Sequence, residues 1–482
     1  MDKFLLFVIM FIIQIINFIT KITILQNQYY SIKRYFIYVK ENKKVLLLLL
    51  SFFSIALSFL LIKKFNFFLI FYILPFVVFN YKLIKNFKIT KRIVVQFLVL
   101  LAFLLLNIVF IDNIYIVLIY NTFFFWISFF VSSSLEAIKQ KYYIKKAQKK
   151  IKKYNVKVIA ITGSYGKTSC KNYIYEILKE KYNVLISPHS YNTLNGVLLT
   201  INKHLKSFHN YLILEIGVDS KNGMNKFIKN FSFDYCAVTC IGPQHLKTFK
   251  TIENIAKEKN KLLKVSTIAS FYNKDDVYIS KNTNINQGVT FSCVDNADIV
   301  VKQIRNNKLN IKIFNKNYNT TSMLLGKHNL SNLALSIAIC KKIGVEDSKI
   351  IDRISKIKNV KHRLSLFYDN NWTIIDDSYN SNIDGFLNAL DVLNQFDGYK
   401  IIITPGIIET SNNNKFDMLI SQKINSITDL ALLIKSPSFY KYVDNKLSFY
   451  SFKEAYTYLK NNYIDKKLTI LIENDLPEIF LR

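Results

Sequence analysis

The stretch VKVIAITGSYGKTSCKNYIYEILKEKYNVLI, beginning at Val156, limits the fold more than any other part of the chain. Its apolar run Val156–Ile161 reads as a buried strand, Gly163-Ser164-Tyr165-Gly166-Lys167-Thr168-Ser169 as a tight turn, and Cys170–Lys181 as a helix. A strand passing through a glycine turn straight into a helix opens a parallel α/β unit. It is also the context that a phosphate-binding loop requires. Glycines let backbone N–H groups approach phosphate oxygens, and the helix N-terminus adds positive potential. On this reading Gly163, Ser164, Gly166, Lys167, Thr168 and Ser169 hold the phosphates of a nucleotide. Lys167 reaches the terminal phosphates and the Thr168 hydroxyl ligates Mg2+. The strict GxxxxGK[ST] spacing is not met, because Ile161 stands at the first glycine position.

The region before this unit is different in kind. Five apolar stretches, Phe4–Thr20, Val45–Ile62, Phe65–Phe79, Ile93–Ile111 and Ile114–Ser132, dominate residues 1–135. A helix rises about 1.5 Å per residue and the hydrocarbon core of a bilayer is about 30 Å thick, so the longer stretches reach across. The expectation is an α-helical transmembrane region of about five spans, followed by a basic juxtamembrane linker at 136–155. Lys and Arg gather after the first, third and fifth stretches, which would place the N-terminus outside and the rest of the chain in the cytoplasm. The expected location is therefore the cell membrane, multi-pass, with the catalytic domains on the cytoplasmic side.

The net charge of +32 fits an anionic membrane leaflet together with a general Lys-rich bias. No nucleic-acid motif accompanies it, so a nucleic-acid partner is not expected. Cys170, Cys236, Cys240, Cys293 and Cys340 are scattered without CxxC pairs, which implies neither a zinc site nor a disulfide framework.

From the turn onward the chain resembles the Mur ligases. Thr162–Thr168 (TGSYGKT) matches their short phosphate loop. Further motifs follow in the same order: NTLNGVLLTI with Asn195 and Gly196, LILEIGVD with Glu215, and IGPQHLKTFKTIENIAKEKNKLL with His245 and a downstream Lys. GKHNLSN then carries Asn329 and Asn332, KHRLSLF carries Arg363, and IDDSYNSNIDGFLNAL carries Asp377, Asn380 and Asn382. The resemblance implies a central P-loop domain at 156–363 and a smaller Rossmann-like α/β domain at 364–482.

It also implies a chemistry. ATP phosphorylates a carboxylate to an acyl phosphate, and an amine displaces the phosphate. Thr168, Glu215, His245 and a carbamylated Lys would hold Mg2+. The segment KEKNK offers Lys257, Lys259 and Lys261, and the spacing from His245 favours Lys259. Asn329, Asn332 and Arg363 would contact the nucleotide, and Lys167, Lys259, His245 and Asp377 are the candidate catalytic residues. The DDSYN pattern points to the branch that joins D-alanyl-D-alanine to a muramyl-peptide in cell-wall synthesis.

The sequence also departs from the family. No globular domain that grips the UDP end of the substrate is visible before the turn, Cys240 replaces the branch's Asn, and LIENDLPEIF replaces its Lys-Gly-Ser-Arg stretch. These departures leave a lipid-linked acceptor, another amine, or a catalytically weak membrane scaffold as alternatives. A P-loop transporter is disfavoured, since the spans hold essentially no ionisable residues.

Overall fold

The computed structural model describes residues 15, 18–28, 30–42, 87–110, 114–188, 190–280, 288–305, 307–379, 382–407 and 414–474. The chain divides into two units, Met1–Tyr142 and Tyr143–Arg482.

In the second unit, strand Lys157–Thr162 is buried from its second residue onward. Its side chains alternate between two cores: Ile159 and Ile161 enter one, Val158 and Ala160 the other. Burial on both faces is what a central parallel strand requires, and it explains the unbroken apolar run. Among the described residues this strand lies in a nine-stranded sheet. The order is Val184–Ile186, Tyr211–Glu215, Lys157–Thr162, Phe233–Val238, Ser266–Asn273, Gly288–Ser292, Ile299–Arg305, Lys308–Ile313 and Lys316–Thr321. Neighbours are parallel as far as Ile299–Arg305, after which the last two strands add antiparallel hairpins. The hairpins begin at Ile299, whereas Gly288–Ser292 joins the parallel part.

A second sheet of six strands runs Ser365–Asp369, Trp372–Asp377, Leu468–Glu473, Tyr399–Thr404, Leu430–Ile434 and Lys446–Phe449. All its pairings are parallel except the first. Alternation again feeds two cores, with Ile375 and Ile402 on one side and Ile374, Ile401 and Ile403 on the other.

The transmembrane expectation is corrected. Among the described residues no helix is long and apolar enough to cross a membrane. The second and third stretches and nearly all of the first lie outside the described residues. The fourth falls on helix Lys91–Phe110, which opens on two cations, and the fifth on the first half of a 41-residue helix, Ile114–Tyr154, whose second half is the basic segment. Within the first unit, Ile93, Phe125 and Phe129 are buried against Phe18, Ile22, Leu25 and Tyr35. Those side chains therefore meet protein, a distinction that hydropathy along the chain cannot make. The multi-pass membrane location and the membrane as a partner rested on those spans and fall with them, and a lipid-linked acceptor loses the support the spans gave it. Residues 136–154 are helical; Ala147 is buried in the second unit's core, and Lys150 Nζ donates to the carbonyls of Ile201 and Asn202.

Candidate active site

The strand order places the start of the glycine turn at a topological switch point. Strand Lys157–Thr162 has Tyr211–Glu215 on one side and Phe233–Val238 on the other, and chain direction across the sheet reverses there. Ligands of open α/β sheets bind beyond the strand ends at such a point. Gly163, Glu215 and Thr239-Cys240 all stand at these ends.

The turn is shaped by contact as well as by glycine. Gly163 and Gly166 have φ of 148° and 81°. A Cβ on Gly163 would collide with Thr239 Oγ1, and one on Gly166 with Asn332 Oδ1. Ser164 N–H donates to Cys240 O at 2.8 Å, and Ser164 Oγ donates to Gly242 O at 3.0 Å. The helix that follows runs Lys167–Leu178, three residues earlier at each end than the apolar pattern suggested, and no side chain caps its start. Ser169 is buried in its first turn.

Lys167 Nζ folds back onto the turn, donating to Gly163 O at 2.7 Å and Ser164 O at 3.0 Å. Burial pulls this ammonium down to about 8, opposed by the charge of Glu215 and reinforced by Arg363. Lys259 is 1% exposed and donates to the same Gly163 O at 2.6 Å. Burial first, and the Lys167 charge second, hold it well below the usual lysine range.

Thr168 Oγ1 donates to Glu215 Oε2 at 3.2 Å. The other carboxylate oxygen, Oε1, lies 2.7 Å from Lys171 Nζ, an ion pair whose side chains are 2% and 1% exposed. Lys171 also donates to Ser187 O at 2.8 Å. Sequence reading missed Lys171, although it sits one helical turn after Lys167, on the same face.

His245 is exposed, with φ of 54°, at the head of the short helix Leu246–Phe249. Its turn is tied to the segment after Glu215, because Thr248 Oγ1 donates both to His245 O and to Asp219 O. Among the described residues no group of three or more His, Cys, Asp or Glu is placed to hold a metal ion. The hard-oxygen pair of Thr168 and Glu215 nevertheless suits Mg2+ in its donor chemistry.

Asn329 and Asn332 are buried, and their contacts brace the phosphate-loop helix. Tyr173 OH donates to Asn329 Oδ1 at 3.1 Å, Asn332 Nδ2 donates to the same oxygen at 3.2 Å, and Cys170 Sγ lies 3.3 Å from Asn332 Oδ1.

Two side chains bridge this part to the second sheet. Asn388 accepts from Lys327 N–H at 3.1 Å and donates to His328 Nδ1 at 2.9 Å. Tyr379 OH donates to Ser190 Oγ at 2.9 Å, while the Arg363 guanidinium lies 4.4 Å from the centre of the Tyr379 ring. Asp377 Oδ1 accepts the Leu364 N–H at 3.1 Å, and burial pushes its carboxyl up to about 7 against the pull of Arg363. Asn382 caps helix Ile383–Asn394 by accepting from Gly385 N–H, and Asn380 lies outside the described residues. Glu473, also missed, ends its strand level with Asp377 in the pattern LTILIE, the counterpart of YLILE at Glu215.

Residues 161–340 match the family described as Mur ligase middle domain. The chain is 32% identical over 344 residues to UDP-N-acetylmuramoyl-tripeptide--D-alanyl-D-alanine ligase of Buchnera aphidicola subsp. Baizongia pistaciae, covering 67% of this chain and 74% of that protein. Against the ligase of the same name from Buchnera aphidicola subsp. Acyrthosiphon pisum the identity is 30%, with the same coverage. The fold is similar to that of a MurF ligase from Thermotoga maritima in complex with ADP, with a TM-score of 0.62 at 21% identity, covering 70% of this chain and 80% of that one. MurF from Acinetobacter baumannii gives a TM-score of 0.64 at 19% identity, covering 71% and 79%.

Proposed function

We propose, from the premise that the chain belongs to the Mur ligase family, that it joins D-alanyl-D-alanine to UDP-N-acetylmuramoyl-tripeptide with ATP as the driving reactant, in peptidoglycan synthesis. It is an ATP-dependent ligase. The observation that carries this reading is the convergence at the strand ends of Lys167, Lys259 and the Thr168–Glu215 pair on one glycine turn.

An acceptor carboxylate oxygen attacks the γ-phosphorus of ATP, the bond to the β-phosphate oxygen breaks, and ADP leaves. The amine nitrogen then adds to the carbonyl carbon of the acyl phosphate. The tetrahedral intermediate collapses by breaking the C–O bond to phosphate, and the amine gives up a proton. This chain's contribution is positioning and charge. Glycine-turn N–H groups cradle the phosphates, and Lys167 leaves its carbonyl partners for a phosphate oxygen. Arg363, stacked on Tyr379 at the border with the second sheet, supplies a second cation. Asp377 fixes the backbone beside Arg363. Thr168 and Glu215 would hold Mg2+, which supplies charge neutralisation at the phosphates. We assign Lys259 and His245 to a second cation, Lys259 as its carbamate. The buried, depressed amine of Lys259 suits attack on CO2, which needs the neutral form. Closure of the lobes through Asn388 and Tyr379 keeps water from the acyl phosphate.

The test is one ligation with acceptor labelled with 18O in its terminal carboxylate, D-alanyl-D-alanine, ATP and Mg2+. The expected result is the pentapeptide mass together with one 18O in the released phosphate. ATP binding without product, or product with unlabelled phosphate, overturns the reading.

A further inference from the structure

Arg363 is held in an unusual backbone. The residues on either side of it, His362 and Leu364, have φ of 62° and 50°. Left-handed backbone is uncommon for any residue with a side chain, and for a bulky one such as Leu it persists only where the surroundings enforce it.

Here the enforcement comes from adjacent aspartates on strand Trp372–Asp377. Leu364 N–H donates to Asp377 Oδ1 at 3.1 Å. On the other side, His362 Nδ1 lies 2.7 Å from Asp376 Oδ2, with side chains 13% and 4% exposed. The second oxygen of Asp376 is occupied as well: Ser378 Oγ donates to Oδ1 at 2.6 Å and Ser378 N–H at 3.1 Å. Asp376 thus has both oxygens engaged inside the protein and cannot swing to another partner without breaking that set. The main chain of His362 is pinned too, its N–H donating to Ser365 Oγ at 3.1 Å and its carbonyl accepting from Tyr379 N–H at 3.4 Å. The same Tyr379 carries the ring against which Arg363 stacks.

We propose that His362 and Asp376 are positioning residues for Arg363: the buried imidazole–carboxylate contact locks the left-handed turn that aims the guanidinium at the phosphate side of the cleft. The inference rests on the assignment of Arg363 to the nucleotide phosphates. His362 and Asp376 touch no reacting atom and act through the backbone on either side of Arg363 and through Tyr379. Glycine at 362 would permit the turn but not fix it, because the side-chain anchor would be gone.

The experiment is a double-mutant cycle on the full-length chain, reading kcat, KM for ATP and thermal midpoint for His362→Gly, Asp376→Ala, Asp376→Asn, Arg363→Ala and His362→Gly/Arg363→Ala. His362→Gly and Asp376→Ala are expected to lower kcat by roughly 10- to 100-fold, the usual effect of removing a partner that orients an active group, with KM for ATP within about 3-fold. Asp376→Asn keeps an oxygen for the imidazole but turns its NH2 on the Ser378 N–H, and is expected to fall between the wild type and Asp376→Ala. The double variant should be no slower than Arg363→Ala alone. Multiplied losses in the double variant, or losses that track the thermal midpoint across the series, overturn the proposal. If Arg363→Ala itself turns over at the wild-type rate, the phosphate assignment of Arg363 fails first, and that outcome is distinguishable from an uncoupled His362.

Discussion

Lys167 and Lys259 donate to one and the same carbonyl oxygen, that of Gly163, at 2.7 and 2.6 Å. Two ammonium groups on a single acceptor oppose one another. Burial, and after it the Lys167 charge, hold the Lys259 amine well below the usual lysine range. A neutral amine is the form that adds to CO2, which is what the proposed carbamate requires.

The expected outcome is a carbamate signal by 13C NMR after incubation with labelled bicarbonate, absent from Lys259→Ala. The variant should lose on the order of 100-fold or more in kcat, as for removal of one charge-stabilising group. Full activity in CO2-free buffer, with no carbamate signal, would sink the assignment.

The Lys171–Glu215 pair yields a stability prediction. Both side chains are almost wholly buried. Removing one member of such a pair strands the other, and Lys171→Met should destabilise the fold by about 3–5 kcal/mol. Replacing both, as Lys171→Met/Glu215→Leu, should recover most of that stability while leaving the ligase inactive. Denaturant unfolding of the three proteins checks this. A double variant as unstable as the single one would mean the two groups are not coupled.

Gly166 and Gly344 make a matched comparison. Both have left-handed backbone, with φ of 81° and 97°. A Cβ at Gly344 meets nothing within 4 Å, whereas one at Gly166 runs into Asn332 Oδ1. Gly344→Ala should cost about 1–2 kcal/mol of backbone strain alone. Gly166→Ala should cost more and should also weaken ADP binding, because Asn332 or the start of the helix must move. Calorimetric titration with ADP separates the two effects. Unchanged ADP affinity in Gly166→Ala would contradict the steric argument.

Much of this site was legible in the chain because its residues sit where regular structure changes: Lys167 and Thr168 at the turn-to-helix junction, Glu215 and Asp377 at the ends of apolar strands. Periodicity marks those junctions. It says nothing about what a side chain meets across the fold. Lys171 and Glu473 belong to no motif: packing of the helix on the sheet brings Lys171 to Glu215, and strand register brings Glu473 level with Asp377. Asn329 and Asn332, expected at the nucleotide, are engaged with the phosphate-loop helix. The apolar stretches of the first unit failed differently: hydropathy measures aversion to water, and buried protein and lipid satisfy it equally.

Asp377 and Glu473 carry the pH prediction. They lie level on adjacent parallel strands, 9% and 0% exposed. Two buried carboxyls side by side disfavour a second negative charge. Burial is the largest influence and raises the Asp377 carboxyl to about 7, with Arg363 and the Leu364 N–H working against it. The native state therefore holds a proton that the unfolded chain has lost, over the interval from the ordinary aspartate value up to about 7. Stability falls with pH wherever the native state binds more protons, so this pair's contribution is complete below the unfolded value and is lost as pH rises through about 7. Glu473→Gln removes the neighbouring acid and offers an amide donor in its place, which lets Asp377 ionise at lower pH. Unfolding measured at pH 5, 6, 7 and 8 should show the variant gaining on the wild type as pH rises, with the gain levelling off above about pH 7. Parallel stability curves for the two proteins across that range would show that the two carboxyls do not titrate together.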